Sequence, residues 1–221
     1  MQAAGNLAEE FPELVVQPVC ADYTRPVRLP PAPAGTRRTV VFFPGSTIGN
    51  FEPEEAAPFL TRTAGLIGED GAVLIGVDRP KDPEVLERAY DDPEGVTRAF
   101  NLNLLRRLNR DLGADFDLDG FAHRAVWNPS ASRVEMHLES QREQVVTIPR
   151  EDGTPARFTF AAGEALVTEH SYKYSPSRFD ALARSAGLAI TRTWTDPDEW
   201  FSVFLLEPSG SERPRLGPPG P

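Results

Sequence analysis

The chain has 221 residues, 40% hydrophobic and 9% aromatic, enough for one elaborated domain or two small ones and too apolar for a chain disordered throughout. Its 33 acidic side chains against 23 basic ones leave a formal charge of −10, which argues against a nucleic-acid partner, because polyphosphates demand an excess of Lys and Arg. No stretch approaches the roughly 20 apolar residues that span a bilayer, and the start Met-Gln-Ala-Ala-Gly-Asn has no charged segment leading into an apolar one, so a cytoplasmic protein without a membrane partner is expected.

A short helix fits Ala3 to Phe11, before the apolar run Leu14 to Ala21. That run reads as a buried strand delivering Asp22 at its end, although Pro18 removes a ladder donor and favours an edge. Cys20, the single cysteine, forbids an intramolecular disulfide or a cysteine-based zinc site, and within this run it is expected to be a small core residue. After a Pro-rich loop, Thr39 to Phe43 is a second apolar strand, stopped by Pro44-Gly45-Ser46. Helical spacing over Glu52 to Leu66 follows, with Pro53 in the first turn, then a third strand, Ala72 to Val77, ending at Asp78. Strand, helix, strand, each strand nearly all apolar, predicts a parallel sheet covered on both faces, with ligands at the carboxyl ends of its strands. That rim carries Asp22, the Gly45 to Asn50 turn and Asp78.

Pro83 to Leu112 is helical again, divided at Asp91 to Gly95. Alternating segments at Ala122 to Trp127, Arg133 to Glu139, Gln144 to Ile148 and Arg157 to Phe160 predict an antiparallel excursion, with a hairpin turn at Asn128 to Ser132. Ser177 to Ala186 is a helix closed by Gly187. Ala189 to Trp194 and Phe201 to Leu206 are strands joined by a short turn, which makes the sheet mixed at this end. The Pro- and Gly-rich end beyond Pro208 is expected to be a disordered tail.

Three places have chemical potential. In Pro44 to Asn50, two glycines and two hydroxyl residues after a strand let the backbone approach a ligand closely, or simply form a turn that caps the next helix. Asp22 and Asp78 at strand ends either accept hydrogen bonds from an amine or hydroxyl, or cap the following turn. In the stretch Thr168 to Tyr174, an extended chain puts Glu169 and Ser171 on one face, where a carboxylate beside a hydroxyl can grip both nitrogens of an imidazole or a cationic headgroup; the alternative is a solvated strand with cross-strand pairs. The histidines His123, His137 and His170 show no metal-site spacing, and no Gly-x-Ser-x-Gly elbow occurs, so no metal and no serine hydrolysis is expected.

Several segments in register, Phe42 to Asn50, Arg88 to Asp92, Phe100-Asn101, Asp115 to Asp117, Val134 to Met136, Phe160 to Glu164 and Thr168 to Ser171, make the chain from about Leu7 to Leu206 resemble the S-adenosylmethionine-dependent histidine Nα-methyltransferases of ergothioneine biosynthesis. The resemblance implies an α/β fold: a partial Rossmann-like class I methyltransferase sheet, its first strands missing, with an inserted α+β substrate-binding domain. The implied division is residues 1–82 for the partial core, 83–171 for the insertion, 172–208 for the helix and strand pair completing the sheet, and 209–221 for the tail. It further implies trimethylation of the α-amino group of L-histidine to hercynine with S-adenosylmethionine as methyl donor. Asp22 and Tyr23 match residues at the adenine end of the cofactor, and the turn with Gly45 and Ser46 matches the floor between cofactor and substrate. Asn50 and Tyr90 match the residues holding the amino and carboxylate groups; Glu169 and Ser171 match those binding the imidazole, with Met136 lining that pocket.

A complete member of that class begins with a strand and a glycine-rich loop that cradles the methionine part of the cofactor, and no Gly-x-Gly precedes Asp22. The chain therefore reads as the C-terminal two-thirds of such an enzyme, through a start assigned too far downstream, a genuine truncation, or a split enzyme completed by another chain. An exposed sheet edge, poor solubility and little cofactor affinity are the expected properties of such a piece. The competing readings are methylation of another amino acid or small amine, suggested by His170 where the family has an apolar residue, and a non-catalytic amino-acid-binding module.

Overall fold

Residues 2–210 are described in the computed structural model. Helix α1 (Gln2–Glu10) buries none of its side chains. Residues 11–39 follow without a helix or strand, so the strand expected at Leu14 to Ala21 does not form. An apolar run becomes a strand only beside a partner ladder, and here none of the described strands lies alongside, while Pro18 supplies no amide donor. Val15 and Cys20 are accordingly exposed, which corrects the reading of Cys20 as a core residue. Asp22 stands in a turn rather than at a strand end: its carboxylate accepts from the Thr24 amide at 2.9 Å and the Thr24 hydroxyl at 2.6 Å, with Arg25 Nε at 3.2 Å.

Strand β1 (Val40–Phe43) leads through one 3-10 turn (Thr47–Asn50) into α2 (Pro53–Ile67), and β2 (Ala72–Asp78) returns parallel to β1, with Val40 opposite Ala72 and Phe43 opposite Ile75. Helix α2 starts on a reciprocal capping box between Glu52 and Glu55, with Pro53 in the first turn where its missing donor costs nothing. Helices α3 (Pro83–Tyr90) and α4 (Val96–Leu112) are divided at Asp91 to Gly95, as the sequence indicated. Strands β3 (Phe121–Asn128), β4 (Arg133–Ser140), β5 (Gln144–Ile148), β6 (Ala156–Phe160) and β7 (Ala165–Tyr172) form the antiparallel excursion; helix α5 (Pro176–Ser185), β8 (Leu188–Thr195) and β9 (Phe201–Pro208) close the fold.

The strands make a mixed four-stranded sheet in the order β1-β2-β9-β8, an antiparallel sheet β3-β4-β7, and the hairpin β5-β6. Helices α2 and α5 cover one face of the mixed sheet, gathering Val73, Ile75, Val77, Phe204 and Leu206 against Phe59, Leu60 and Phe179. Coverage of both faces, the expectation from the apolar runs, holds for β2 but not for β1, where Val40 and Phe42 are exposed at the sheet edge. A second core, built on Leu105, Phe116, Phe121, Leu138 and Val146, lies between α4 and the excursion. Strand β7 belongs to both, with Leu166 packed against the second core and Tyr172 in the first. Of the expected tail, residues 211–221 lie outside the described residues.

Candidate active site

The site grows from β7. Its pleat sends Glu169 and Ser171 to one face and His170 and Tyr172 to the other. Against it, β4 sets Met136 opposite Glu169 and Val134 opposite Ser171, just before a register shift at Met136/His137. The turn after β1 reaches the same place: Gly45 (φ 74°) and Ser46 (φ 60°) turn the chain in the left-handed region, and Gly49 then packs on the strand. A Cβ at Gly49 would stand 2.6 Å from the Tyr172 carbonyl oxygen, so only glycine lets the turn come this close.

That close approach delivers Asn50, whose Nδ2 donates to Glu169 Oε1 at 2.8 Å. Tyr90, the last residue of α3, places its hydroxyl 2.7 Å from Ser171 Oγ. The structure thus brings together Asn50, Tyr90, Met136, Glu169 and Ser171, drawn from the turn, α3, β4 and β7. Met136 and Glu169 line a pocket of about 210 Å3 with Phe100, Asn101, Asn103, Leu104, Arg107 and Thr168; Tyr90 and Ser171 lie beside it, outside its lining.

Gly45 and Ser46 lie on the turn after β1 and Asp22 and Tyr23 on the irregular segment before it, and none of the four lines the pocket of Met136 and Glu169. Tyr23 packs edge-on against Phe43, Phe51 and Phe59 at 6.0 to 6.4 Å between ring centres, so the irregular segment folds back to the carboxyl end of β1. There Tyr23, Val41, Phe43 and Phe59 line a largely apolar cavity of about 540 Å3. The space where a Gly45 side chain would stand is open. Ser46 is buried, and its Oγ accepts the Asp78 amide at 2.9 Å, so this hydroxyl is committed to joining β1 to β2. The carboxyl of Asp22 is held below its ordinary range by the Thr24 hydroxyl and amide.

One residue that sequence reasoning did not place at the site is central to it. Lys173 is fully buried, and its Nζ donates to Asp78 Oδ2 at 2.7 Å, Tyr90 Oη at 2.8 Å and Ser171 Oγ at 2.9 Å. Asp78 meets an amine, as one of its two readings had it, but the amines are internal: Lys173 and, at 2.5 Å, Lys81. The period-two argument used for Glu169 and Ser171 reaches Lys173 when carried one step further.

The opposite face of β7 is tied to the first core by hydrogen bonds to Glu52. His170 Nδ1 lies 2.5 Å from Glu52 Oε1, and the Tyr172 hydroxyl donates to Glu52 Oε2 at 2.6 Å; these bonds hold the Glu52 carboxyl below its usual range. Burial pushes Glu135 up, but hydrogen bonds from Asn128, His137 and Arg133 outweigh it and bring its pKa to about 2. His123 is buried, with Asn101 Nδ2 at 2.9 Å from Nδ1 and the Tyr90 carbonyl oxygen at 2.8 Å from Nε2, which fits a proton on Nε2. Asn101 Oδ1 in turn accepts from Thr168 Oγ1 at 2.7 Å, pinning α4 to β7 at the pocket. Among the described residues no group of three or more His, Cys, Asp or Glu is placed to hold a metal ion, and no helix is long and apolar enough to cross a membrane.

An α/β chain with a pocket between α4, β4 and β7, beside the glycine-bearing turn that follows β1, has the arrangement of a small-molecule transferase or binding protein. The sequence matches the family model for histidine-specific, S-adenosylmethionine-dependent methyltransferases over residues 1–208, and the chain belongs to that family. It is 42% identical over 203 residues to the histidine N-alpha-methyltransferase of Mycolicibacterium smegmatis, covering 92% of this chain and 61% of that protein. The corresponding protein of Mycobacterium tuberculosis is 43% identical over 202 residues, 91% of this chain and 61% of its own length. Ergothioneine biosynthesis protein 1 of Neurospora crassa is 32% identical over 165 residues, 75% of this chain and 18% of that protein. The chain therefore spans 61% of the length of the two bacterial relatives.

Proposed function

We propose that this chain forms the substrate-binding part of a methyltransferase that transfers methyl groups from S-adenosylmethionine to the α-amino group of L-histidine, giving hercynine. The observation that carries the reading is the convergence of Asn50, Tyr90, Met136, Glu169 and Ser171 at one end of β7, in a chain of the histidine-specific family. Residues 83–171 act on this reading as the substrate-recognition domain, and the mixed sheet as part of the methyltransferase core.

Glu169 and Ser171 bind the imidazole. Asn50 Nδ2 occupies one carboxylate oxygen of Glu169, which leaves Oε2 to accept the ring N–H. Met136 is 4% exposed and supplies the apolar wall beside it. Asn50 and Tyr90 hold the amino and carboxylate groups. A site built this way disfavours amino acids lacking ring nitrogens, because they leave one oxygen of the half-buried Glu169 carboxylate without its ring N–H.

The donor is S-adenosylmethionine, whose sulfonium supplies an electrophilic methyl group when bound. The residues present fit part of such a group: the open space over Gly45 admits a close backbone approach, and Tyr23 offers an aromatic edge above an apolar cavity for a heterocycle. Asp22 provides a solvent-accessible carboxylate beside Tyr23, whereas the buried Ser46 hydroxyl accepts the Asp78 amide and has its O–H left to donate. What the chain contributes to catalysis is alignment and exclusion of water, the main demands of an in-line displacement. The attacking amine must be neutral, and a hydrogen-bonded position from which its proton passes to water is sufficient for that.

The test is steady-state kinetics of Glu169→Ala. The Michaelis constant for histidine should rise on the order of 100-fold while that for S-adenosylmethionine changes by less than about threefold; equal effects on both would refute the assignment.

A further inference from the structure

We infer that Lys173 is a positioning residue that sets the hydrogen-bond polarity of the substrate pocket, shifting the Tyr90–Ser171 pair from mainly accepting toward donating to an acceptor atom of the ligand. The inference rests on the reading of Tyr90 and Ser171 as substrate-binding residues.

The argument is a count of hydrogens and lone pairs. The Lys173 ammonium has three N–H bonds, and the structure gives each a partner: Asp78 Oδ2 at 2.7 Å, Tyr90 Oη at 2.8 Å and Ser171 Oγ at 2.9 Å. Each hydroxyl oxygen has thus accepted one bond from a cation. The two hydroxyls are 2.7 Å apart, so one donates to the other. Two hydroxyl hydrogens entered the triangle and one is consumed inside it. The other must point out of it. If Tyr90 is the internal donor, Ser171 has both lone pairs filled and only its O–H to offer; if Ser171 is the donor, Tyr90 offers its O–H. In both arrangements the pair presents one outward O–H and one unfilled lone pair, on the internal donor; without Lys173 the same pair would present one O–H and three unfilled lone pairs, so the lysine shifts the balance toward donating.

The opposite end of the site has the reverse character. Asn50 Nδ2 is spent on Glu169 Oε1, which leaves Glu169 Oε2 and Asn50 Oδ1 as acceptors. An acceptor end and a donor end match a neutral imidazole, which carries one N–H and one bare nitrogen. Without Lys173, both hydroxyls are free to rotate and accept, and the pocket loses its preference for a ring with a bare nitrogen. A fully buried lysine whose ionic partner among the described residues is Asp78, itself shared with Lys81, is an expensive arrangement for structure alone.

The experiment compares the full chain carrying Lys173→Met, Lys173→Gln, the charge-balanced pair Lys173→Met/Asp78→Asn, and Glu169→Ala with the unaltered protein. Histidine affinity is measured by calorimetry, and the 13C ζ-carbon resonance of Tyr90, assigned with Tyr90→Phe, reports its hydrogen bonds without any ligand. The double variant removes the uncompensated Asp78 carboxylate and so guards against simple unfolding, which circular dichroism monitors. Loss of the cationic donor should move the Tyr90 resonance in Lys173→Met and in the double variant. It should weaken histidine binding by at least about tenfold, the size of one lost oriented hydrogen bond in a buried site, with partial recovery in Lys173→Gln, which keeps a neutral donor. An unmoved Tyr90 resonance in the folded variants overturns the inference, and so does unchanged histidine affinity where the unaltered protein binds histidine and Glu169→Ala does not. If the unaltered protein and Glu169→Ala handle histidine alike, the substrate reading fails, and the Tyr90 resonance alone then decides whether Lys173 orients the pair.

Discussion

Asn50 and Glu169 are 119 positions apart in the chain and meet in a single hydrogen bond of 2.8 Å, a contact that joins the turn after β1 to strand β7. It makes each residue the other's orienting group. Truncating either to Ala should therefore weaken histidine binding, and truncating both should cost less than the sum. A double-mutant cycle on histidine affinity is expected to give a coupling energy of about 0.5–1.5 kcal/mol; strict additivity would mean that the two side chains act separately.

Gly49 is the residue that permits this contact. A methyl group there lands 2.6 Å from the Tyr172 carbonyl oxygen and 3.3 Å from its amide nitrogen, both backbone atoms that cannot rotate away. Gly49→Ala should destabilise the fold by roughly 1–3 kcal/mol in urea unfolding, and the folded remainder should bind histidine weakly. Gly45→Ala meets no neighbouring atom but is forced to φ 74°, so its cost should be confined to about 1 kcal/mol of backbone strain.

Glu135 ties acid stability to the β3-β4 hairpin. Its folded-state pKa of about 2 lies below the ordinary 4.5, so its contribution is fully present above pH ~4.5 and disappears as the pH falls through about 2. Unfolding free energy measured between pH 5 and pH 2 should fall less steeply in Glu135→Gln than in the unaltered chain. The difference should amount to on the order of 2 kcal/mol across that window, with parallel curves as the contrary result.

The edge at β1 predicts association. Phe42 is 67% exposed on a strand whose outer hydrogen-bonding groups have no strand partner among the described residues. Phe42→Lys should raise the concentration at which light scattering first detects oligomers of this chain, without altering its circular dichroism; an unchanged onset would place the association elsewhere.

How far the sequence discloses these features depends on whether the deciding interaction is local. The Pro44-Gly45-Ser46 turn, the break at Asp91 to Gly95 and the shared face of Glu169 and Ser171 follow from backbone preferences and from the two-residue pleat, and all three are in the structure. The run Leu14 to Ala21 has the composition of a strand, but composition says nothing of whether a partner lies beside it, and none does among the described strands. Lys173 fails for the opposite reason. A lysine in a polar segment reads as solvated, and its burial depends on Asp78, at the end of a different strand, arriving to pair with it. Glu52 likewise reads only as the start of a helical segment, and the fold makes it the cap of α2 and adds His170 and Tyr172 to its partners.

Strand β7, anchored by Leu166 in one core and by Tyr172 in the other, works as a rigid strut through the pocket. A strand cannot shorten, so the two cores cannot slide along it without breaking the ladder to β4 or pulling Gly49 from its seat against Tyr172. The wall facing β7 across the pocket is α4, held to β7 through Asn101 and Thr168 but exposed at Phe100 and Leu104, so a ligand entering there meets the less covered side of the cavity. The amide protons of α4 should exchange with solvent faster than those of β7, and added histidine should slow the first while leaving the second as it was.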